Sequence, residues 1–401
     1  MMPIALLSLE NKILRSQHCP FNQITFIFEQ IFHLPNSDDL LYQIALTLVP
    51  GIGDIHAKAL IKHFGDARSI FKAKKQTLES LEGIGVARAG SIKAFTSFES
   101  SEAELKFIEQ YKITPLFITD ENYPRRLLNC YDSPALLYYR GNANLNNSRI
   151  ISIVGTRNNS DYGKTACEKL VDELQQSGIL IVSGLAFGID TIAHKAALKN
   201  NLETVGVLAH GLDRIYPTQN NHLAKQMVEQ GGLLTEFISN TNPDKQNFPR
   251  RNRIVAGMCD AVFVVESGKK GGSLITAELG SNYNKDIFAI PGRNTDTKSE
   301  GCNYLIKHNK ASLITGAEDL LIKMNWGERK KKEPKIQREL FIELTPDERN
   351  ITDILKIRES IQIDELYAKS GLTSSAVAAA LLMLEMQGIV ASLPGKVYKM
   401  L

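Results

Sequence analysis

Four stretches of the chain combine glycine, hydroxyl and basic residues in the way that anion binding requires. They are Val154-Gly155-Thr156-Arg157, the run Ser183-Gly184-Leu185-Ala186-Phe187-Gly188-Ile189-Asp190, the cluster Phe248-Pro249-Arg250-Arg251-Asn252-Arg253, and Lys269-Lys270-Gly271-Gly272-Ser273-Leu274-Ile275-Thr276. A glycine at the carboxyl end of a strand lets an anionic oxygen reach backbone N–H groups, and the dipole of the next helix favours it there. Guanidinium groups add paired hydrogen bonds to phosphate oxygens. Loops of this kind converging at one sheet edge would form a phosphate-binding surface.

Other chemistries fit less well. The dinucleotide fingerprint GxGxxG follows no candidate strand, which disfavours a nicotinamide or flavin enzyme. Tyr162-Gly163-Lys164-Thr165 imitates the tail of a nucleotide-binding P-loop, with Val262–Glu266 as its companion strand, but Asn158 stands where the first glycine is needed. Asp190 and His194 are four apart and share a helix face, yet no third ligand is near, and an acidic residue at a helix start is an ordinary cap. No metal, cofactor or catalytic residue is therefore expected. An alternative is a nucleotide N-glycoside hydrolase, because Arg253, Gly271-Gly272 and Glu278 are reminiscent of the arginine and PGGxGTxxE loop of those enzymes. Here Lys270 replaces the proline, while Leu274 and Ile275 replace the second glycine and the threonine, so the loop is bulkier where substrate would enter.

The elements that must position these residues follow from periodicity. Apolar, β-branched runs recur at Ile150–Val154, Ile179–Val182, Thr204–Leu208, Leu233–Phe237, Ala261–Val265, Ile287–Ile290 and Ser312–Ile314, most of them separated by helical segments such as Thr165–Gln176 and Ile189–Lys199. That alternation predicts an α/β, doubly wound, Rossmann-like and mostly parallel sheet over residues 106–325, with its ligand site beyond the carboxyl strand ends. Residues 38–105 read as short helices broken twice by a hydrophobic-Gly-hydrophobic-Gly turn, at Leu48–Gly53 and Leu81–Gly85. This resembles a pair of helix-hairpin-helix motifs, or a SAM-like domain, with Lys58, Lys62, Arg88 and Lys93 as possible phosphate contacts; tight turns in a small helical bundle explain it as well.

Residues 326–344 form a basic linker containing Arg329-Lys330-Lys331-Lys332. Residues 345–401 run helix, turn, helix, hairpin, which resembles a winged helix. Its candidate recognition helix, Ser375–Gln387, has no Lys or Arg, so base reading in the major groove is not expected. A winged-helix transcription factor is thereby disfavoured. Residues 1–37 carry Phe21, Ile24, Phe28, Ile31 and Phe32 on one helical face and are given no function.

Composition sets the outer limits. The 401 residues allow two or three domains, and 43% hydrophobic with 23% charged residues excludes wholesale disorder. A net charge of +3 is too small to attract nucleic acid generally, so any such attraction must be local. Five scattered cysteines without a CxxC pair point to a reducing, cytoplasmic setting, and no apolar run is long enough for a membrane span.

Beyond these readings, ordered motifs through the middle of the chain resemble one family. Ile118–Pro124, Leu136–Gly141, Ser183–His194, Gly211–Pro217, Phe248–Gly257, Gly272–Glu278, Ala289–Gly292 and Gly301–Ile306 are together similar to the DNA-processing protein A family, also called Smf. The resemblance implies a Rossmann core that binds single-stranded DNA, forms a homodimer through that core, and loads the RecA recombinase during natural transformation, without catalytic turnover. It also implies that the DNA pocket uses Gly155, Thr156 and Arg157, with Lys245 and Phe248 beside Arg250, Arg251 and Arg253.

Overall fold

The computed structural model describes residues 37–326, 344–358, 360–393 and 395–401. The helical face at Phe21–Phe32 and the basic run at 329–332 lie outside the described residues. The described residues fall into two compact units, one ending at Trp326 and the other within 344–401.

Among the described residues the first unit has six helices before its first strand: α1 (Ser37–Leu48), α2 (Asp54–Phe64), α3 (Ala67–Lys72), α4 (Lys75–Glu79), α5 (Gly85–Ala94) and α6 (Phe98–Tyr111). The turns before α2 and α5 place Gly51, Gly83 and Gly85 at positive φ, a conformation that glycine enters without a Cβ clash. β1 (Thr114–Phe117), α7 (Arg125–Leu128) and β2 (Leu136–Gly141) follow. Leu40, Ile44, Leu60, Ile70 and Ile92 from these helices share one buried cluster with Phe117, Leu136 and Tyr138 of the strands. The helical segment is thus cored against the sheet, and the sequence boundary near 105 falls inside α6.

From β3 (Ile150–Val154) the chain alternates strictly. α8 (Asp161–Glu173), β4 (Leu180–Ser183), α9 (Ile189–Lys199), β5 (Thr204–Val207), α10 (Asn221–Glu229) and β6 (Gly231–Thr235) come first. α11 (Asn247–Gly257), β7 (Ala261–Val264), α12 (Gly272–Asn282), β8 (Asp286–Ala289), α13 (Glu300–Lys307), β9 (Ser312–Leu313) and α14 (Ala317–Lys323) complete the unit. The nine-stranded sheet has the order β1-β2-β6-β5-β4-β3-β7-β8-β9. Pairing is parallel from β6 to β9. It is antiparallel where β2 meets β6 and β1 meets β2.

Continuous apolar strands are explained by burial on both sheet faces. Ile151 and Ile153 pack with Ile181 and Phe263 on one face. Ile150 and Val154 pack with Val182 and Val264 on the other. The chain adds β4, β5 and β6 on one side of β3 and then returns to add β7, β8 and β9 on the other. Strand order therefore reverses between β3 and β7, the place where open α/β sheets leave a crevice at the carboxyl ends.

The second unit contains α15 (Pro346–Lys356), β10 (Ile361–Gln362), α16 (Ile363–Ser370), α17 (Ser374–Met386), β11 (Val390–Leu393) and β12 (Val397–Met400), with sheet order β10-β12-β11. A capping box fixes the start of α15: Thr345 accepts from Glu348 N–H, and the Glu348 carboxylate accepts from Thr345 N–H. Ile351, Leu366, Val377, Leu381 and Val390 form its own buried core. Among the described residues no single helix is long and apolar enough to cross a membrane.

Candidate nucleic-acid interface

The loops after β3, β4 and β5 meet α11 in a shallow hollow. Arg157 comes from the first loop, Leu185 to Phe187 from the second, and Leu208 to His210 from the third, with Tyr216 beyond them and Phe248 and Arg251 on α11. The hollow encloses only about 20 Å³, room for a single water, so a ligand would lie on its rim rather than sink into it. The Arg157 guanidinium sits 4.9 Å from the centre of the Phe248 ring, a cation–π stack. Tyr216 meets the same ring edge-on at 6.2 Å. Phe187 and Tyr216 are 45% and 46% exposed at the rim of the hollow.

The sequence-derived residues separate into two groups. Arg157, Lys245, Arg250 and Gly272 are exposed, and Gly155, Thr156 and Phe248 are half-buried. The others are internal. Ser183 is fully buried and donates its hydroxyl to Ile153 O at 2.6 Å. Gly184 is small because a Cβ there would fall 2.1 Å from Arg251 Nη1 and 2.4 Å from Asp190 Oδ2. Arg251 is 5% exposed, donates to the Val207 carbonyl, and lies beside Asp190. It forms the floor of the hollow rather than a free cation. Burial pushes the Asp190 carboxyl above its usual range, and Arg251 opposes that rise.

Arg253 departs furthest from the sequence expectation. It is 9% exposed and ion-paired to Glu236 and Asp54, and it lines a different hollow with Gly53, His56 and Asp132. Glu236 also holds Arg250 at 3.0 Å. Ser273 is buried, with its hydroxyl on Ser267 Oγ. Of the three clustered arginines, only Arg250 retains an exposed guanidinium.

The P-loop imitation resolves physically. Glu266 at the end of β7 is buried, and its carboxylate accepts from the Ser160 N–H and hydroxyl at the start of α8. A Cβ at Gly163 would fall 2.6 Å from that carboxylate. The anion position at this helix start is thus filled by the protein's own side chain, at the strand-order reversal itself. His194, fully buried, contacts Thr204 Oγ1 through Nδ1 and the Gly184 carbonyl through Nε2. Burial lowers its pKa to about 4, so it is neutral at physiological pH and structural. His210, the imidazole in the hollow, has both nitrogens engaged, by Gly211 O and Tyr216 N–H.

The helical hairpins also spend their cations internally. Lys58 donates to the carbonyls of Cys130 and Tyr131 and to Ser133 Oγ. Arg88 donates to the carbonyls of Gly51 and Gly83, and Lys93 to those of Phe71 and Ala73. Of the four, Lys62 is exposed and makes no such bond among the described residues. Sequence reading missed Phe187, Tyr216 and His210 as hollow-lining residues. Phe187 and Tyr216 stood in quoted motifs, but no local pattern there signals an aromatic rim.

Comparison with known proteins follows the same outline. Residues 114–325 match the family model described as DNA recombination-mediator protein A, and residues 340–396 match the DprA winged helix domain. The chain is 33% identical to Protein Smf of Synechocystis, over 89% of this chain and 98% of that protein. It is 40% identical to DNA processing protein DprA of Streptococcus pneumoniae, over 56% of this chain and 78% of that protein. The X-ray structure of the Streptococcus pneumoniae protein aligns with a TM-score of 0.63 at 34% identity, covering 71% of this chain and 97% of that one.

Proposed function

The chain belongs to the DNA recombination-mediator protein A family, and from that premise we propose that it binds single-stranded DNA along the carboxyl strand ends and hands the strand to the RecA recombinase in natural transformation. The observation that carries this reading is the Arg157–Phe248 stack beside the exposed Phe187 and Tyr216 rings. A single strand calls for cations that track its phosphates and flat groups on which unpaired bases lie, and both aromatic rings and guanidinium planes serve. Arg157 supplies exposed charge within that hollow, while Lys245 and Arg250 are exposed on the segment leading into and along α11, Arg250 being paired to Glu236. The delivery step and a homodimer through the Rossmann domain are supported by family resemblance, delivery also by the family's description as a recombination mediator.

This reading makes the protein a binder without turnover. A hydrolase would have to turn Arg253 to its substrate, whereas Glu236 and Asp54 hold that side chain. The strand-end hollow offers no spare base either, since both His210 nitrogens are occupied.

Titrating homopolymeric single strands and duplex of equal length, over a range of salt, tests the proposal. Single strands are expected to bind more tightly. Arg157→Ala should weaken binding to unrelated sequences alike and reduce the slope of log K against log salt by about 0.7, the loss of one phosphate contact. Equal affinity for duplex, or an Arg157→Ala protein that binds as wild type does, would refute the assignment.

A further inference from the structure

A larger hollow lies on the other side of the β3 loop, where the P-loop-like segment has been given no role. Tyr162, Pro291, Gly292, Arg293 and Asp296 line about 600 Å³ of open space. Tyr162 is 50% exposed, and its position is fixed because its hydroxyl donates to Pro291 O at 2.7 Å. The opposing loop is fixed as well: Asn303 accepts from Gly292 N–H at 3.1 Å and donates to Gly292 O at 3.0 Å. Arg293 is exposed and makes no ion pair among the described residues. Lys298 reaches the Asn159 carbonyl of the β3 loop, and exposed Lys269 and Lys270 stand on the neighbouring β7 loop. Asp296 is the one carboxylate among the lining residues.

A rigid, half-exposed ring beside an unpaired guanidinium repeats the chemistry of the Arg157–Phe248 hollow. Tyr162 follows Arg157 by five positions, so their Cα atoms lie at most roughly 18 Å apart. A strand resting on one could reach the other without leaving the carboxyl rim of the sheet. We propose that the Tyr162–Arg293 hollow is a second nucleotide subsite on the same strand, with the ring taking a base and Arg293 its phosphate. This rests on the single-strand reading above and assigns that strand a direction of travel, from β5 across β3 to β8.

Strand length separates the two ideas. Fluorescence anisotropy would compare wild type, Tyr162→Ala, Arg293→Ala and Arg157→Ala on thymidine homopolymers of about 6 and about 20 nucleotides, lengths around the usual span of single-strand sites. On the long strand Tyr162→Ala should bind about tenfold more weakly, and Arg293→Ala should lose about 0.7 of salt slope. Both should match wild type on the short strand, while Arg157→Ala weakens both lengths. Because Arg293 is exposed and unpaired, its removal tests the site without threatening the fold. Wild-type affinity of both variants for the long strand, or equal losses at the two lengths, would overturn the second subsite. Failure of the wild type to bind either strand would instead overturn the single-strand reading itself.

Discussion

Arg251 shows how a basic residue in a promising cluster can become part of the floor of a candidate site. Its guanidinium is buried under the hollow, bonded to Val207 O and set beside the buried Asp190. Removing it leaves the buried Asp190 carboxyl without the nearby cation that opposes its burial, at a cost of about 3 kcal/mol, the lower end of what an uncompensated buried charge costs. Arg251→Ala is therefore expected to be a stability variant, read by urea denaturation. Asp190 already has a raised pKa in the folded protein, and loss of its cation raises it further. A carboxyl whose folded pKa exceeds its unfolded one favours folding when protonated. The deficit should accordingly shrink as pH falls from about 8 to about 5. A deficit that grows on acidification would mean that Asp190 is not the group left uncompensated. Arg157, by contrast, is exposed, and only its removal should act on affinity. The sequence could not distinguish the two arginines, because the partners that bury Arg251 lie in β5 and α9, and those that hold Arg253 include Asp54, 199 residues away.

At the scale of elements, the strands were legible and their edges less so. Each apolar run in the core became a strand within a residue or two, since burial on both faces writes itself as uninterrupted Val, Ile and Leu. β1 and β2 were not anticipated as strands, because a sheet's antiparallel extension is decided by pairing partners and not by local composition. The glycine loops were located correctly, but their main work is close packing. Gly188 has φ of +77°, and a Cβ there would lie 2.2 Å from the Thr156 carbonyl, so the β4 loop locks onto the β3 loop that carries Arg157. Gly272 has open space around it. Gly188→Ala should therefore destabilise by about 2 kcal/mol or more, combining strain at positive φ with a backbone clash. Gly272→Ala, at a helix start, should change stability by less than about 0.5 kcal/mol. Thermal melts of the two proteins check this, and comparable losses would mean that the β4–β3 loop contact is dispensable.

Across the whole molecule, a formal charge of +3 conceals how unevenly the available cations are distributed. The hairpin helices contribute Lys58, Arg88 and Lys93 to backbone carbonyls, whereas the rim of the sheet leaves Arg157, Lys245, Lys269, Lys270 and Arg293 exposed. The second unit offers little to add. Its α17 carries no Lys or Arg, and its exposed side chains include Leu382, Met383 and Met386, 58%, 47% and 76% accessible. Such a surface cannot release counterions from a phosphate chain, the step that gives single-strand binding its strength and its salt dependence. Arg349 and the wing's Lys396 and Lys399 could supply at most three contacts, since the exposed Lys356, Arg358 and Lys369 are each ion-paired. The second unit also has a separate core and its own helix cap, so the first does not need it to fold. A chain lacking residues 345–401 but keeping the basic run at 329–332 should then bind single strands within about threefold of the full protein, with a salt slope lower by less than about 2.1, the limit set by three lost phosphates. A loss beyond tenfold, measured by the same anisotropy titration, would place part of the binding surface on the winged helix and require a path for the strand that leaves the sheet.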